Sequence, residues 1–574
     1  YDYWQASGVS GEGARSFYYP RRPQSCADCH MPLVESKDPA AKNGRVRSHR
    51  FAAANTAVPF VNHDRDQVEA VQRFLKDGQI SVDVFGIVRG EAPRGERVAA
   101  SMDGAMGSAS TFGVGEESLA FGAREAFLAL APVVVGPFGA APVLVRRGES
   151  VRIDVVVRTR KVGHFFPGGT VDAFDVWLDL EVFDEHDRRI LHSGSLRERG
   201  ELDSAAHRYR SLLLDEHGNP IDKRNAWAAR SVAYVRLIPP GAADTVHYRL
   251  VVPDDAGSRL RIRASVKYRK FAWWNTQWSY AGVRESSDGA FALGPGHDDG
   301  RWVFTGDTSA VSGLMKAIPD IPITEMAVNE AVMTVIGEGT PIVDRRAVGG
   351  SAQRERWNDY GIGLLLQGDL RAAESAFLEV TRLEPGYADG WVNVGRARLQ
   401  GGNLAGAEDV LRQALSVDAG LASAHFFLGS VLKLQGQYEE SLEHLRMAAA
   451  RYPRDRVVLN QIGRVLFLMR RFADARIELH KVLRIDPEDL QAHYNLMLIA
   501  QGLGDEQSAE DARRLYERFK IDESAQALTG TYRLENPHDN NERQLIHEHE
   551  LTAASNPSAA PPRAVDHRAA SPGP

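Results

Sequence analysis

The hydrophobic pattern changes along the chain, and each pattern predicts a different architecture. Between residues 66 and 75, apolar side chains recur at helical spacing, and Asp77-Gly78 then ends the predicted helix. From about residue 81 to 340 the period becomes two, so that in residues 260–268 apolar and polar side chains alternate. Alternating strands separated by Gly, Pro and Asp turns predict an antiparallel β-sandwich.

A repeat with a period of 34 residues follows, from about residue 354 to 520. Four sets of residues keep this step: Gly361, Gly395, Gly429 and Gly463; Gly368, Gly402, Gly436 and Gly504, with Arg470 in the place of glycine; Ala373, Ala407, Ser441, Ala475 and Ala509; and Pro385, Pro453 and Pro487, with Ala419 in the place of proline. The period resembles the tetratricopeptide repeat, a helix–turn–helix unit. We expect four full repeats and part of a fifth, which form a concave surface for a peptide or protein, or only brace the neighbouring domains.

Both cysteines of the chain lie in one motif, Cys26-Ala-Asp-Cys29-His30. C-x-x-C-H is the attachment signature of a c-type haem, in which the thiols form thioethers and the histidine ligates the iron. A structural zinc site would need two further Cys or His ligands, and no third cysteine exists. In a thioredoxin-like redox dithiol, a strand precedes the motif, and residues 21–25 do not resemble a buried strand. We therefore predict one covalent haem c per chain.

Two histidines are candidates for the second axial ligand of this iron. His49 lies in the same small segment as His30 and is the first candidate. His164 lies in a Gly-His-Phe-Phe-Pro-Gly-Gly stretch at a predicted strand end, where a loop could point it outwards. Each also has an ordinary alternative, a backbone-bonded loop histidine for His49 and a turn cap for His164. Ligation by two histidines would give a lower potential than His/Met ligation.

Three stretches together carry a family resemblance. Residues 1–7 (Tyr-Asp-Tyr-Trp-Gln-Ala-Ser), residues 26–32 (Cys-Ala-Asp-Cys-His-Met-Pro) and residues 48–51 (Ser-His-Arg-Phe) resemble multihaem c-type cytochromes of the c-552/4 type. The stretch around His164 is similar to a β-domain attached to some of them, and a repeat array is a familiar companion. The resemblance covers roughly residues 1–190. It implies electron transfer outside the cytoplasm and bis-histidine ligation, with His30 as proximal ligand. Those proteins carry several haems, whereas this chain has one motif, so further haems upstream and a single-haem derivative both remain open.

Charge and composition limit the classes of partner and the cellular location that we expect for the protein. The net charge of −7 and the pI of about 6.3 provide no basic field for nucleic acid. No run of eighteen apolar residues predicts a membrane span. Because haem attachment normally occurs outside the cytoplasm, we expect a periplasmic or extracellular protein, with an export signal upstream of Tyr1. In the C-terminal tail, residues 547–550 (His-Glu-His-Glu) are expected to be a solvated charged strip rather than a metal site.

These patterns predict a multidomain α+β chain. Its parts are a haem c-binding segment at 1–80, a β-sandwich at 81–345, an α-solenoid of repeats at 346–520, and a polar, largely disordered tail at 521–574. The leading hypothesis is an exported cytochrome that transfers single electrons and docks a redox partner, or other haem subunits, on its repeats. The alternatives are a haem-dependent redox enzyme for small nitrogen or sulfur compounds, and a repeat scaffold whose haem is structural or sensory. No catalytic nucleophile or paired carboxylates are recognisable, which favours an electron carrier over a catalyst.

Overall fold

The computed structural model describes most of the chain, from residue 2 to residue 553. The described residues are 2–89, 133–140, 142–198, 200–221, 226–284, 302–304, 306–309, 311, 314–342, 350–520 and 529–553. Within them, no helix combines the length and the apolar character needed to cross a bilayer.

The N-terminal segment consists of short elements and one longer helix. The elements are α1 Asp2–Gln5, α2 Cys26–His30, β1 Leu33–Glu35, β2 Arg45–Arg47, α3 Ala57–Val61 and α4 Arg65–Lys76. Helix α4 is the one that the apolar spacing predicts, and its buried Val71 and Leu75 join the core of the following domain. It is followed by Gly78, whose φ of 66° lies in the left-handed region that favours glycine. The N-terminal segment therefore packs against the β-domain through α4.

The β-domain begins directly after α4. Its elements are β3 Ile80–Arg89, β4 Val134–Val135, β5 Val143–Arg146, β6 Ser150–Thr159, β7 Asp175–Phe183, β8 Arg189–Ser193, β9 His207–Arg208, β10 Arg210–Leu214, β11 Ser231–Arg236, β12 Ala243–Val251, β13 Arg259–Arg269, α5 Trp273–Ala281, β14 Gly282–Arg284, β15 Trp302–Phe304 and β16 Ile323–Ile336. The strands form two large sheets, and apolar side chains from both sheets share one core, as the period of two predicts.

Five successive helix pairs follow, so the fifth repeat is complete rather than partial. They are α6 Ser351–Gln367 with α7 Leu370–Leu383, α8 Ala388–Gln400 with α9 Leu404–Val417, α10 Ala422–Leu434 with α11 Tyr438–Arg451, α12 Arg456–Leu468 with α13 Phe472–Ile485, and α14 Leu490–Leu503 with α15 Glu506–Phe519. A Cβ added at Gly361 would lie 2.6 Å from the Phe377 ring. The equivalent glycines of the next three pairs would meet leucines at 2.7–2.8 Å. The repeated glycine thus allows the two helices of each pair to approach closely.

The segment predicted to be a largely disordered tail is folded over residues 529–553. It forms α16 Thr529–Glu535, α17 Pro537–Arg543, β17 Glu548–Glu550 and β18 Thr552–Ala553. Strand β17 pairs with the sheet edge at β12, which would otherwise leave backbone groups unpaired. Arg249 of β12 also bonds to Glu548 with an Nε–Oε2 distance of 2.9 Å. The rest of the predicted tail, 521–528 and 554–574, lies outside the described residues.

With these strands included, the two large sheets have the orders β17-β12-β6-β3-β4 and β18-β8-β7-β13-β16-β5, and β9 also pairs with β7. Most pairs are antiparallel, as predicted. Two pairs are parallel, namely β12 with β17 and β16 with β5. In both pairs an edge strand lies beside a strand that is far away in the sequence. The alternation of apolar and polar residues predicts strands but not which strands pair.

The first repeat helix, α6, lies directly against the sandwich. The Tyr360 hydroxyl donates to Asp154 of β6 at 2.7 Å, and both residues are buried. Arg356 forms a bidentate pair with Asp83 of β3 at 2.8 Å for each bond. A Cβ at Gly363 would lie 2.7 Å from the backbone nitrogen of Thr245 in β12. The repeats are therefore joined to the sandwich by specific contacts, of which the bond between Tyr360 and Asp154 is buried.

Candidate functional site

The C-x-x-C-H motif forms the short helix α2, and its neighbours hold it in place. Ser25 and Asp28 form a capping box, in which the Ser25 backbone N–H donates to the Asp28 carboxylate at 2.9 Å. Arg47 of β2 donates to Asp28 at 2.8 Å and to the carbonyl oxygen of Ala27 at 2.8 Å. The bond from Ser25, followed by that from Arg47, lowers the pKa of Asp28 to about 2. The motif is thus fixed to the β1–β2 hairpin.

The two thiols are free and accessible. Cys26 is exposed and Cys29 is half-buried. Burial raises the pKa of the Cys29 thiol, and the nearby Asp28 carboxylate raises it further. Reactive redox dithiols have lowered pKa values, because the thiolate is the nucleophile. This environment therefore disfavours the redox interpretation of the motif.

The histidine beside His30 is His164, from the loop between β6 and β7. The centroids of the two imidazoles lie 6.3 Å apart, and the ring planes differ by only 7°. His49, the first candidate in the sequence, follows β2 and is exposed. The structure thus brings the second candidate, rather than the first, next to His30.

Both rings of this pair hold their Nδ1 atom against a backbone carbonyl oxygen. His30 Nδ1 lies 3.0 Å from the oxygen of Ala52, and His164 Nδ1 lies 2.7 Å from the oxygen of Phe165. A carbonyl oxygen only accepts, so Nδ1 carries the proton in each ring and donates. In a neutral imidazole the other nitrogen, Nε2, then has a free lone pair. Each ring is therefore prepared as a metal ligand through Nε2.

The protein around His164 favours the neutral ring. Desolvation by surrounding residues lowers the pKa of His164, and nearby His30 lowers it further, while the bond to Phe165 acts in the opposite direction. Neutral imidazole is the form that binds metal ions. The ring is thus available for coordination at neutral pH.

Neighbouring residues fix both rings in position. Phe51 stacks on His30 with a centroid distance of 4.9 Å. The loop that bonds to His30 is tied to the sandwich, because the buried Tyr268 donates from its hydroxyl to the Ala54 carbonyl oxygen at 2.5 Å. On the other side, a Cβ at Gly168 would lie 2.6 Å from Cε1 of His164. The His164 ring therefore occupies space that only glycine at position 168 leaves open.

Apolar side chains are exposed around the motif. Leu33 and Phe51 are each 53% exposed, and Val34 is 43% exposed. Phe51 contacts His30, while Leu33 and Val34 belong to the strand that follows α2. Because successive side chains of a strand point to opposite faces, Leu33 and Val34 do not form one surface, and Phe51 is the exposed apolar ring beside His30.

The repeats bind the part of the N-terminal segment that precedes the motif. Arg15 is fully buried, and its Nη2 lies 3.5 Å from the Asp455 carboxylate at the start of α12. The backbone N–H of Ala14 donates to the same carboxylate at 2.8 Å. The Arg396 guanidinium of α8 lies 3.6 Å from the Phe17 ring centroid. The Arg15 guanidinium also lies 5.6 Å from the centroid of the Phe426 ring of α10. Residues 12–19, which we call the N-terminal strap, therefore pack against the first helices of three repeats.

Comparison with known protein families identifies part of the helical repeat region. Residues 361–422 match the tetratricopeptide repeat family. The chain contains a tetratricopeptide repeat. Among curated proteins, none matches this sequence.

Several solved structures match about a third of this chain. MamA from Desulfovibrio magneticus RS-1 is 20% identical over 30% of this chain and 100% of its own, with a TM-score of 0.28. PilF of Pseudomonas aeruginosa is 20% identical over 34% and 88%, with a TM-score of 0.29. YrrB, described as a tetratricopeptide-repeat protein with an unusual peptide-binding site, is 18% identical over 31% and 91%, with a TM-score of 0.26. Similarity this low does not bear on the function of this chain.

Two features of the site were not predicted from the sequence. The strap has no periodicity, and only the adjacent aromatic residues of Phe17-Tyr-Tyr19 indicate that it is buried. The support of His164 by Gly168 was also missed, although Pro-Gly-Gly directly after the histidine loop is a turn signal.

Proposed function

We propose that this tetratricopeptide-repeat protein carries a covalent c-type haem on its N-terminal segment, transfers single electrons, and docks a protein partner through its repeats. Cys26 and Cys29 would attach the haem, and His30 and His164 would be its axial ligands. The paired arrangement of His30 and His164 is the observation that carries the proposal. An exported location is part of it, because haem attachment normally takes place outside the cytoplasm.

The spacing of the two rings fits bis-histidine ligation. A metal–imidazole bond is about 2.0 Å long, and a ring nitrogen lies about 1.1 Å from its centroid, so two imidazoles on opposite sides of one ion have centroids about 6.2 Å apart. The centroids of His30 and His164 are 6.3 Å apart. Histidine ligands normally donate their other ring N–H to a backbone carbonyl or carboxylate. Both rings do so, to Ala52 and Phe165.

The surroundings also fit a covalent haem. A c-type haem supplies one-electron redox chemistry when bound. The two thiols are accessible for thioether formation, and Phe51, which contacts His30, offers an exposed apolar ring beside the site. Arg47 holds the motif helix, and Tyr268 holds the loop that accepts the hydrogen bond from His30.

The enzyme hypothesis requires one open axial position. A second imidazole beside His30, with its Nε2 lone pair available, counts against it. The scaffold alternative has a specific observation in its favour. The strap fills part of the repeat surface, so the repeats also hold the N-terminal segment in place.

The experiment is spectroscopic. The chain is matured in a periplasm with haem-attachment machinery, and optical and electron paramagnetic resonance spectra are compared for the wild type, His164→Ala and the control His49→Ala. We expect a low-spin wild type, a high-spin His164→Ala and an unchanged His49→Ala. A redox titration then separates the electron carrier from a scaffold with redox-silent haem.

Three results would overturn the proposal or its ligand assignment. Absence of covalent haem from folded, fully matured wild-type protein would exclude it altogether. A wild type that is already high-spin and shifts with small anions would mean an open iron and would favour catalysis. A spectrum that changes only in His49→Ala would restore the ligand assignment that the sequence favours.

A further inference from the structure

A second group of ligand-type side chains lies in the sandwich, where the C-terminal segment docks. His207 of β9 meets Glu542 of α17, His549 of β17, and His547, which directly precedes β17. All four residues are buried, with at most 9% of their surface exposed. They share no residue with the site around His30. The group comes from sequence positions far apart and closes only when residues 537–550 fold onto the sheet.

The outward-facing nitrogen of each histidine has its own hydrogen-bond acceptor. His549 Nδ1 lies 2.9 Å from the Ala205 carbonyl oxygen, and His547 Nδ1 lies 2.8 Å from that of Gln544. His207 Nε2 lies 3.0 Å from the Asp244 carboxylate. These acceptors require an N–H, so the protons of the neutral rings point outwards. Three bare nitrogen lone pairs then face one another and the Glu542 carboxylate.

Such an arrangement is repulsive unless a cation lies at its centre. His207 Nδ1 and His549 Nε2 are only 3.1 Å apart. Nε2 of His547 and both carboxylate oxygens of Glu542 have no hydrogen-bond partner among the described residues. Arg236 is the nearby fixed cation, with its Nε 3.1 Å from Oε2 of Glu542. That contact leaves Oε1 of Glu542 facing His207 and His549.

The separations between Glu542 and the three histidines are close to those of a tetrahedral metal site. Around an ion with bonds of 2.0–2.1 Å, tetrahedral ligand atoms are about 3.4 Å apart. Glu542 Oε1 lies 3.5 Å from His207 Nδ1 and 3.4 Å from His549 Nε2. Glu542 Oε2 lies 3.6 Å from His547 Nε2. All the candidate ligand atoms lie within 4.8 Å of one another.

We propose that His207, Glu542, His547 and His549 bind one divalent transition-metal ion, zinc by preference, which clamps the C-terminal segment to the sandwich. Three imidazoles and one carboxylate suit Zn²⁺, and four protein ligands are typical of a structural site. The bond between His207 and Asp244 is the carboxylate–histidine support that orients metal-binding imidazoles. The alternative is a proton on His207 in place of the metal ion, which the test must distinguish.

The test measures zinc in purified full-length protein after dialysis, by mass spectrometry. Wild type is compared with Glu542→Gln, with the buried-histidine control His493→Gln from the repeats, and with Cys26→Ser, which removes a thiol that could bind zinc elsewhere. We expect one zinc ion per chain in wild type and in both controls. Glu542→Gln should bind zinc at least about tenfold more weakly, since even supporting partners of a metal site are worth about 10–100-fold in affinity.

Two measurements on the wild type do not depend on how the variants fold. X-ray absorption at the zinc edge should show a shell of nitrogen and oxygen at about 2.0–2.1 Å without sulfur. A chelator should increase trypsin cleavage at Arg543, and added zinc should reverse it. Folded wild type that takes up no stoichiometric zinc, cobalt or manganese would overturn the proposal and leave the protonated cluster. Sulfur in the zinc shell would overturn it as well. The first of these results does not depend on the presence of haem.

Discussion

The position of His164 should depend on the absence of a side chain at residue 168. In Gly168→Ala, the new Cβ would lie 2.6 Å from Cε1 and 2.7 Å from Nδ1 of His164, whereas ordinary contacts begin at 3.4 Å. The imidazole must therefore move by about 0.8 Å or turn away from His30. Metal–ligand distances tolerate about 0.2 Å, so a shift of this size is enough to break coordination.

We therefore expect haem-loaded Gly168→Ala to gain a high-spin fraction comparable to that of His164→Ala. The covalent haem content should stay unchanged, because the thiols are not affected. The matched control is Gly337→Ala, in which the added Cβ has no neighbour within 4 Å. Optical spectra and electron paramagnetic resonance provide the readout. A folded Gly168→Ala variant with the wild-type low-spin spectrum would refute the reasoning, since it would mean that the ring does not occupy the described position.

Three further predictions concern stability. Arg470 stands in the left-handed region with φ of 58°, so Arg470→Gly should raise the free energy of unfolding by about 1 kcal/mol, measured by urea denaturation; no increase would contradict this. Tyr360→Phe removes a buried hydrogen bond to Asp154 and should destabilise the repeat–sandwich junction by about 1–3 kcal/mol, seen as a lower urea midpoint. Burial opposes ionisation of Asp154, but Arg152 and His247 together hold its pKa well below the usual range. The ionised Asp154 therefore stabilises the fold above about pH 4, and this contribution is lost as the pH falls further. Asp154→Asn should reduce the loss of stability on acidification, measured by urea denaturation below about pH 4. An unchanged acid dependence would show that Asp154 is not the group responsible.

The repeats were predictable because the same physical demand recurs. Every helix pair needs a small residue where its helices approach, and Gly361 and its equivalents record this at fixed spacing. The turn between the two helices of each pair also recurs with a residue in the left-handed region. Position 470 keeps that conformation even though it carries arginine. A repeated constraint leaves a pattern in a single sequence.

The partner of His30 was harder to predict, because proximity in sequence is a poor guide to a loop. His49 is nearer along the chain, but the β1–β2 hairpin leaves it in solvent, while the loop after β6 brings His164 to the site. The C-terminal segment is similar. Its polar composition indicates disorder, yet its backbone pairs with a sheet edge, and pairing of this kind depends little on side chains.

The strap gives the repeat surface a tethered competitor. Because residues 12–19 belong to the same chain as the helices that they contact, their effective concentration at that surface is of the order of millimolar. A partner peptide that uses the contacts around Asp455 and Arg396 must displace them first, so its apparent affinity understates its intrinsic affinity. Displacement would also free the chain just before Cys26. Partner occupancy and the mobility of residues 12–19 would then report the same equilibrium.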